Sequence, residues 1–315
     1  MKVSVIIPVY NTESYLTECL DSLVKQTLQE IEILVVDDGS TDGSLRIARE
    51  FETAYPEKVK VMTKENGGQA SARNMALKCA TGEYLGFVDS DDWVDLTMYQ
   101  EMYETAIRED AEIVFCDMQD HFPDRTVYYH TSQFESRFQV AGSSCNKFFK
   151  RSLVGDDVFP EGLWYEDFEF SAKQMMKTEK VAVIHKAFYH CHCREVSTMS
   201  NNNAQKNLDI ITVLENLERF VQAHGWQEQY AAVLEQWYLE HILITSVNRV
   251  QRQTDPKKRE VVKKLRKAVV SKYPRFYKSA SFRQLPGNRK IVALLNGMGL
   301  SGLSKILVDL KSRTK

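Results

Sequence analysis

Long apolar runs are missing from this 315-residue sequence. None approaches the ~20 residues that an α-helix needs to cross a bilayer. Met1-Lys2 leads straight into a short apolar strand, so no secretory leader is expected. Gly/Ser linkers, internal repeats and low-complexity tracts are lacking too. The six cysteines, Cys19, Cys79, Cys116, Cys145, Cys191 and Cys193, are scattered through segments of core character. Free thiols in a reducing cytoplasm are therefore expected. Acidic residues are almost absent from one stretch: residues 256–315 hold 17 Lys and Arg against Glu260 and Asp309 alone, a balance of +15. Residues 1–255 carry −17, so the net charge of −2 conceals a basic tail on an acidic body. Such a tail points to an anionic partner, membrane surface or nucleic acid.

What is present is the composition of a folded protein, 43% hydrophobic and 27% charged. The length suits one large domain or a catalytic domain with an appendage. Val3–Pro8 is a β-branched run ending at proline, and residues 12–26 place Tyr15, Leu16, Cys19, Leu20 and Leu23 at helical spacing. Ile31–Val36, Val59–Met62, Tyr84–Val88 and Ile113–Cys116 read as further strands, with helices through about Ala54, over Ala70–Cys79 and near 96–108. Short apolar strands with helical crossovers predict a mostly parallel sheet covered on both faces. Ligands of such sheets bind beyond the carboxyl ends of the strands. Pro8-Val9-Tyr10, Asp37-Asp38, Asn66-Gly67-Gly68 and Asp89-Ser90-Asp91 all fall there. From 120 to 200 the pattern loosens: an edge strand at Tyr128–His130, a helix or turn over Ser144–Leu153, a helix over Glu166–Met176, and one or two strands in Val181–His192. From 204 onward only helices are expected, over 204–223, 227–252, 257–271 and about 289–312. The expected division is a catalytic domain over 1–203 and a helical region over 204–315.

Asp89, Asp91 and Asp92 stand within four positions at the end of an apolar run. Carboxylates so close repel each other and call for a counter-charge. A hard divalent cation bridging to substrate phosphates is the obvious one.

Five landmarks in order, Pro8-Val9-Tyr10-Asn11, Val36-Asp37-Asp38-Gly39-Ser40-Thr41-Asp42, Asn66-Gly67-Gly68-Gln69-Ala70-Ser71-Ala72-Arg73-Asn74, Asp89-Ser90-Asp91-Asp92 and Glu166-Asp167, resemble glycosyltransferase family 2. These are inverting enzymes of the GT-A fold, an α/β Rossmann-like sheet flanked by helices. The resemblance covers residues 3 to about 200 and implies a bacterial enzyme of surface-polysaccharide assembly. It implies a UDP-sugar donor site built from Pro8, Tyr10, Asn11, Asp38, Asn66, Gly67, Arg73, Asp89 and Ser90. Asp38 would accept from uracil N3–H beside the Tyr10 ring, with Asp37 supporting the loop. Arg73 would meet phosphate or order the Asp cluster. Asp89 would bond the ribose, and Asp91 would ligate Mg²⁺ or Mn²⁺ on the diphosphate, with His192 completing the ion's shell. Asp92 is expected to cap a helix starting near Val94. Asp167 would be the general base that deprotonates the acceptor hydroxyl, with Glu166 and Trp164 on the acceptor side. Arg194 and Ser197 resemble a basic loop closing over the diphosphate, although Val196 stands where the family has glycine. His190-Cys191-His192-Cys193 is not expected to surround one ion, because alternate residues of an extended chain face opposite ways.

The acceptor implied is a glycan or lipid-linked glycan. The basic amphipathic helices of 256–315 suit an anionic membrane surface, a bundle packed with its basic face solvated, or a homo-oligomer contact. The transferase motifs supply no reason for nucleic acid. A cytoplasmic protein, peripheral on the inner face of the plasma membrane, is the expectation. Two other functions are weighed: a non-catalytic nucleotide-sugar-binding scaffold, against which Asp89, Asp91 and Asp167 argue, and a nucleotidyltransferase, which would want a Gly-rich basic loop where Pro8-Val9-Tyr10-Asn11 stands.

Overall fold

The structure is a computed structural model that describes residues 1–131, 136–140, 142–193 and 202–312. It divides into two compact units, one of residues 1–162 with 166–197 and one of residues 163–165 with 198–315. Among the described residues no helix is long and apolar enough to cross a membrane.

The first unit runs β1 (Val3–Val9), α1 (Glu13–Val24), β2 (Ile31–Asp37), α2 (Ser44–Ala54), β3 (Val59–Thr63), α3 (Gln69–Leu77), β4 (Tyr84–Phe87), β5 (Trp93–Val94), α4 (Met98–Arg108), β6 (Ile113–His121), β7 (Thr126–Tyr129), β8 (Lys147–Lys150), α5 (Arg151–Val154), α6 (Glu166–Lys177) and β9 (Val181–His192). One sheet takes the order β3-β2-β1-β4-β8-β6-β9-β5, with β7 added on β6. The β3-β2-β1-β4 half is parallel, in the register Val3↔Ile31 to Val9↔Asp37 between β1 and β2. Every residue of β1 and β2 is buried, as strands covered by crossover helices on both faces must be. Antiparallel β8 then joins β4 to β6, and β9 pairs parallel to β6. The sheet is thus an α/β core of the expected class whose second half is mixed.

Two particulars position the site. Gly86 lies at the middle of β4 because the buried Tyr99 ring fills the space beside it: a Cβ there would stand 2.5 Å from Tyr99 Cε1. Behind β4, Phe87, Phe149, Phe159 and Phe170 form an aromatic core in which Phe159 and Phe170 stack at 4.0 Å. Two local expectations are corrected. Lys147–Lys150, expected as helix or turn, is strand β8, its Phe148 and Phe149 buried between β4 and β6. Asp92 caps no helix: Trp93-Val94 is a strand and α4 begins only at Met98.

The second unit is helical: α7 (Asp209–Ala223), α8 (Gln227–Trp237), a π-helical segment Tyr238–Ser246, α9 (Val247–Arg252), α10 (Lys258–Lys272), α11 (Ala280–Gln284), α12 (Gly287–Gly297) and α13 (Ser301–Ser312). The apolar stripe of α10, Val261, Val262, Leu265 and Val269, is buried in this unit. Packing therefore consumes the face that the sequence left open to a membrane. By contrast Leu303, Ile306 and Leu307 of α13 are exposed.

Candidate active site

The carboxyl ends of β1, β2 and β4 bring Tyr10, Asp38 and Asp89 to one edge, at the point where β1 has β2 on one side and β4 on the other. In open α/β sheets this reversal of strand order is where ligands bind. Pro8 is buried within β1, whereas Tyr10 just beyond it is 50% exposed and offers a ring face. Asn11 adopts a left-handed backbone, φ 51°, and its Oδ1 accepts from the Thr41 amide at 2.8 Å, tying the loop after β1 to that after β2.

The buried Asp38 carboxylate accepts from Gly67 N–H at 3.0 Å, Gly68 N–H at 2.7 Å and Lys64 Nζ at 2.8 Å. It thereby shapes the loop carrying Asn66 and Gly67, both exposed. Gly68 sits at φ +87°, a conformation available to glycine without strain. A carboxylate has about four acceptor positions, so one remains. Asp37 Oδ2 accepts from the Ser40 amide at 3.3 Å, a loop-supporting contact.

Arg73, one turn into α3, is 2% exposed. One guanidinium nitrogen donates to Asp89 Oδ1 at 2.7 Å and another to Glu166 Oε1 at 3.2 Å, and its face lies 5.1 Å from the Phe159 ring. Burying a cation costs free energy unless it is paired; here two carboxylates pair it, and they hold it protonated more firmly than usual. Gln69 Nε2 also donates to Asp89 Oδ1, at 2.6 Å.

The Asp cluster is split by its surroundings. β4 stops at Phe87, so strand alternation does not extend through 89–91. Ser90 is buried, its Oγ accepting from Thr12 Oγ1 at 3.0 Å. Asp92 turns inward, accepting from the Tyr189 hydroxyl at 2.8 Å and the His192 amide at 2.9 Å. The Tyr189 hydroxyl in turn accepts from the Asp89 amide at 3.1 Å. Burial and the neighbouring Asp89 push the Asp92 carboxyl up to about 7.

His192 Nδ1 lies 2.7 Å from the Asp91 carbonyl oxygen. A carbonyl only accepts, so Nδ1 carries a proton. Nε2 faces the Glu18 carboxylate at 3.6 Å, and burial lowers the imidazole's pKa, which favours the neutral ring with a lone pair on Nε2. Among the described residues no group of three or more His, Cys, Asp or Glu side chains makes a complete metal site. Any ion held by Asp91 and His192 Nε2 would have to take its remaining ligands from a substrate's phosphates or water, as Mg²⁺ commonly does. His190 stacks on Trp93, whose ring also packs against His192 at 4.4 Å, and meets Asp95 at 2.9 Å and His121 at 3.1 Å.

Glu166 and Asp167 open α6. Burial, then the charge of Glu166, push the Asp167 carboxyl up to about 7, against the pull of Arg73. Burial also raises Glu166. Trp164 belongs to the second unit, where its amide donates to Asp209 at 2.9 Å. Arg194 and Ser197 lie outside the described residues. Gln69 and Tyr189 were not singled out from the sequence; Gln69 stands within a quoted motif, but nothing in an alternating strand marks Tyr189.

The family model for Glycosyl transferase family 2 matches residues 4–188. The putative glycosyltransferase EpsH of Bacillus subtilis is 30% identical over 267 residues, 78% of this chain and 76% of that protein. The glycosyltransferase GlyA of Streptococcus pneumoniae is 33% identical over 218 residues, 62% of this chain but 31% of that longer protein. Among solved structures, S. aureus TarS 1-349 in complex with UDP-GlcNAc has a TM-score of 0.75 at 24% identity, covering 100% of this chain and 93% of that one. That likeness establishes the GT-A-type fold.

Proposed function

Since this chain belongs to glycosyltransferase family 2, we propose that it moves a sugar from a UDP-sugar to a hydroxyl of a glycan or lipid-linked glycan, with inversion, during assembly of bacterial surface polysaccharide. The observation that carries the reading is the Arg73 bridge: one buried guanidinium holds Asp89, at the end of β4, and Glu166, beside Asp167 at the start of α6. The proposed donor-side carboxylate and the residue next to the proposed base are thus held by a single cation.

Uracil stacks on Tyr10, and its N3–H donates a hydrogen bond to the remaining acceptor position of Asp38. Asp89 meets the ribose. Asp91 and His192 Nε2 would hold Mn²⁺ or Mg²⁺, which neutralises charge developing on the leaving diphosphate. Asp167 takes the proton of the acceptor hydroxyl as that oxygen attacks the anomeric carbon and the bond to UDP breaks. Its raised pKa suits a base working near neutrality. We place the protein on the inner face of the plasma membrane; exposed Leu303, Ile306 and Leu307 near Lys305, within the basic residues 256–315, support contact with anionic lipid.

The test is UDP release from a panel of UDP-sugars with Mn²⁺ or Mg²⁺. Release is expected to stop with EDTA, in Asp91→Ala and in Asp167→Asn, the last retaining UDP binding. Undiminished release by Asp167→Asn refutes the base assignment. Absence of release with every donor favours the scaffold function.

A further inference from the structure

Within the second unit lies a cavity of about 530 Å³, lined in part by Asn202, Thr245, Asn248, Arg249, Arg252 and Gln253. We propose that it binds a phosphate ester carried by the acceptor, a use that rests on the glycosyltransferase reading above.

Charge is the first argument. Arg249 and Arg252 stand three residues apart on α9, a spacing that puts both on one side of a helix. Arg249 is half-buried, and among the described residues it forms no ion pair: its Nη1 donates to the neutral Tyr165 hydroxyl at 2.8 Å. A cation withdrawn from water without a carboxylate calls for an anion. Arg252 meets Asp309 at 3.2 Å, but both side chains are well exposed. Such surface pairs contribute little, so a ligand oxyanion displaces Asp309 at small cost.

Donor chemistry is the second argument. No lining residue is acidic; besides the two guanidinium forks there are three side-chain amides and a hydroxyl. Guanidinium forks match phosphate oxygens in pairs. The volume exceeds what a lone phosphate fills and lies in the range of small-molecule sites, leaving room for the sugar or alditol attached to it.

The backbone is the third. The nine-residue π-helical segment Tyr238–Ser246 delivers Thr245 to the cavity. Departures of this kind from α geometry concentrate at functional sites. Tyr165, which Arg249 holds, has φ +69°, a strained conformation for an aromatic residue.

Two sources supply such a phosphate: a phosphodiester within a polymer chain, or the diphosphate of a lipid-linked glycan. Calorimetric titration of the whole chain separates them, using a glycerol phosphodiester trimer, geranyl diphosphate, a neutral triethylene glycol and a trigalacturonate. One phosphate probe is expected to bind at least tenfold tighter than the neutral and uronate probes, with affinity falling as salt rises. The tighter of the two phosphate probes identifies the source. Arg249→Gln with Arg252→Gln is expected to lose at least tenfold of that affinity while UDP binding stays unchanged, which also shows that the variant is folded. Equal binding of the neutral probe, equal or tighter binding of the uronate, or undiminished phosphate binding by the double variant overturns the proposal. Phosphate binding by a wild-type protein that binds no UDP refutes the donor site instead and leaves the cavity standing.

Discussion

The pH dependence of transfer is the sharpest consequence of the site's electrostatics. Asp167 is pushed from the ordinary 3.8 to about 7. At 1.36 kcal/mol per unit, this is on the order of 4 kcal/mol of preference for the protonated form. A base must be deprotonated to act, so kcat/KM should be on its plateau above about pH 8. Below pH 7 it should fall about tenfold per unit, near one tenth of the plateau at pH 6. Burial is the larger cause of the shift and Glu166 the next, with Arg73 opposing. Glu166→Gln removes the like charge while keeping an oxygen for Arg73 to bond. Removal of a like charge at this range is worth roughly one to two units, so the acid limb should move down to about 5 to 6. Activity relative to plateau at pH 6 should then rise severalfold. Asp92 is also raised to about 7, but its causes are burial and Asp89 rather than Glu166, so only a limb belonging to Asp167 responds to this substitution. UDP release or product formation measured from pH 5 to 9 under donor saturation and subsaturation reads it. A limb that stays in place in Glu166→Gln, or moves up, refutes Asp167 as the titrating base.

Arg73→Met should lower stability by about 3–5 kcal/mol, because it strands Asp89 and Glu166 beside a guanidinium-shaped gap; thermal or urea unfolding measures it. Gly86→Ala places a methyl 2.5 Å from the Tyr99 ring and should cost about 1–3 kcal/mol, recovered in part when Tyr99→Leu is added. His192→Ala should raise the Mn²⁺ or Mg²⁺ concentration needed for half-maximal activity about 10-fold or more, on the general worth of a metal ligand or its support, while UDP binding without metal stays the same. An unchanged metal requirement removes His192 from the site.

Much of the first unit was legible in the sequence because its signals are local. A β-branched run bounded by proline or Asp-Gly stays a strand wherever it is packed, and β1, β2 and β3 appear as expected. Lys147–Lys150 was not legible, since four residues carry too little periodicity and only the gap between β4 and β6 makes them a strand. Asp92 was misassigned for a related reason. An acid before a helix is a fair cap by local rules, but here Tyr189, about a hundred residues away in sequence, claims it. The stripe of α10 shows the same limit: its period reveals an amphipathic helix, not whether protein or lipid covers the apolar side.

Sequence by itself determined the chemistry available: which residues are acids, bases and turn formers, and in what order they follow the strands. Covalent order and local propensity suffice for that, because each strand end carries its motif with it. The division of labour among those residues was decided by tertiary structure. Only folding brings Arg73 of α3 between Asp89 and Glu166, turns Asp92 toward Tyr189, and lays His192 Nδ1 on the Asp91 carbonyl. A carboxylate's role is set by which partners desolvate and neutralise it, and those partners are distant in the chain.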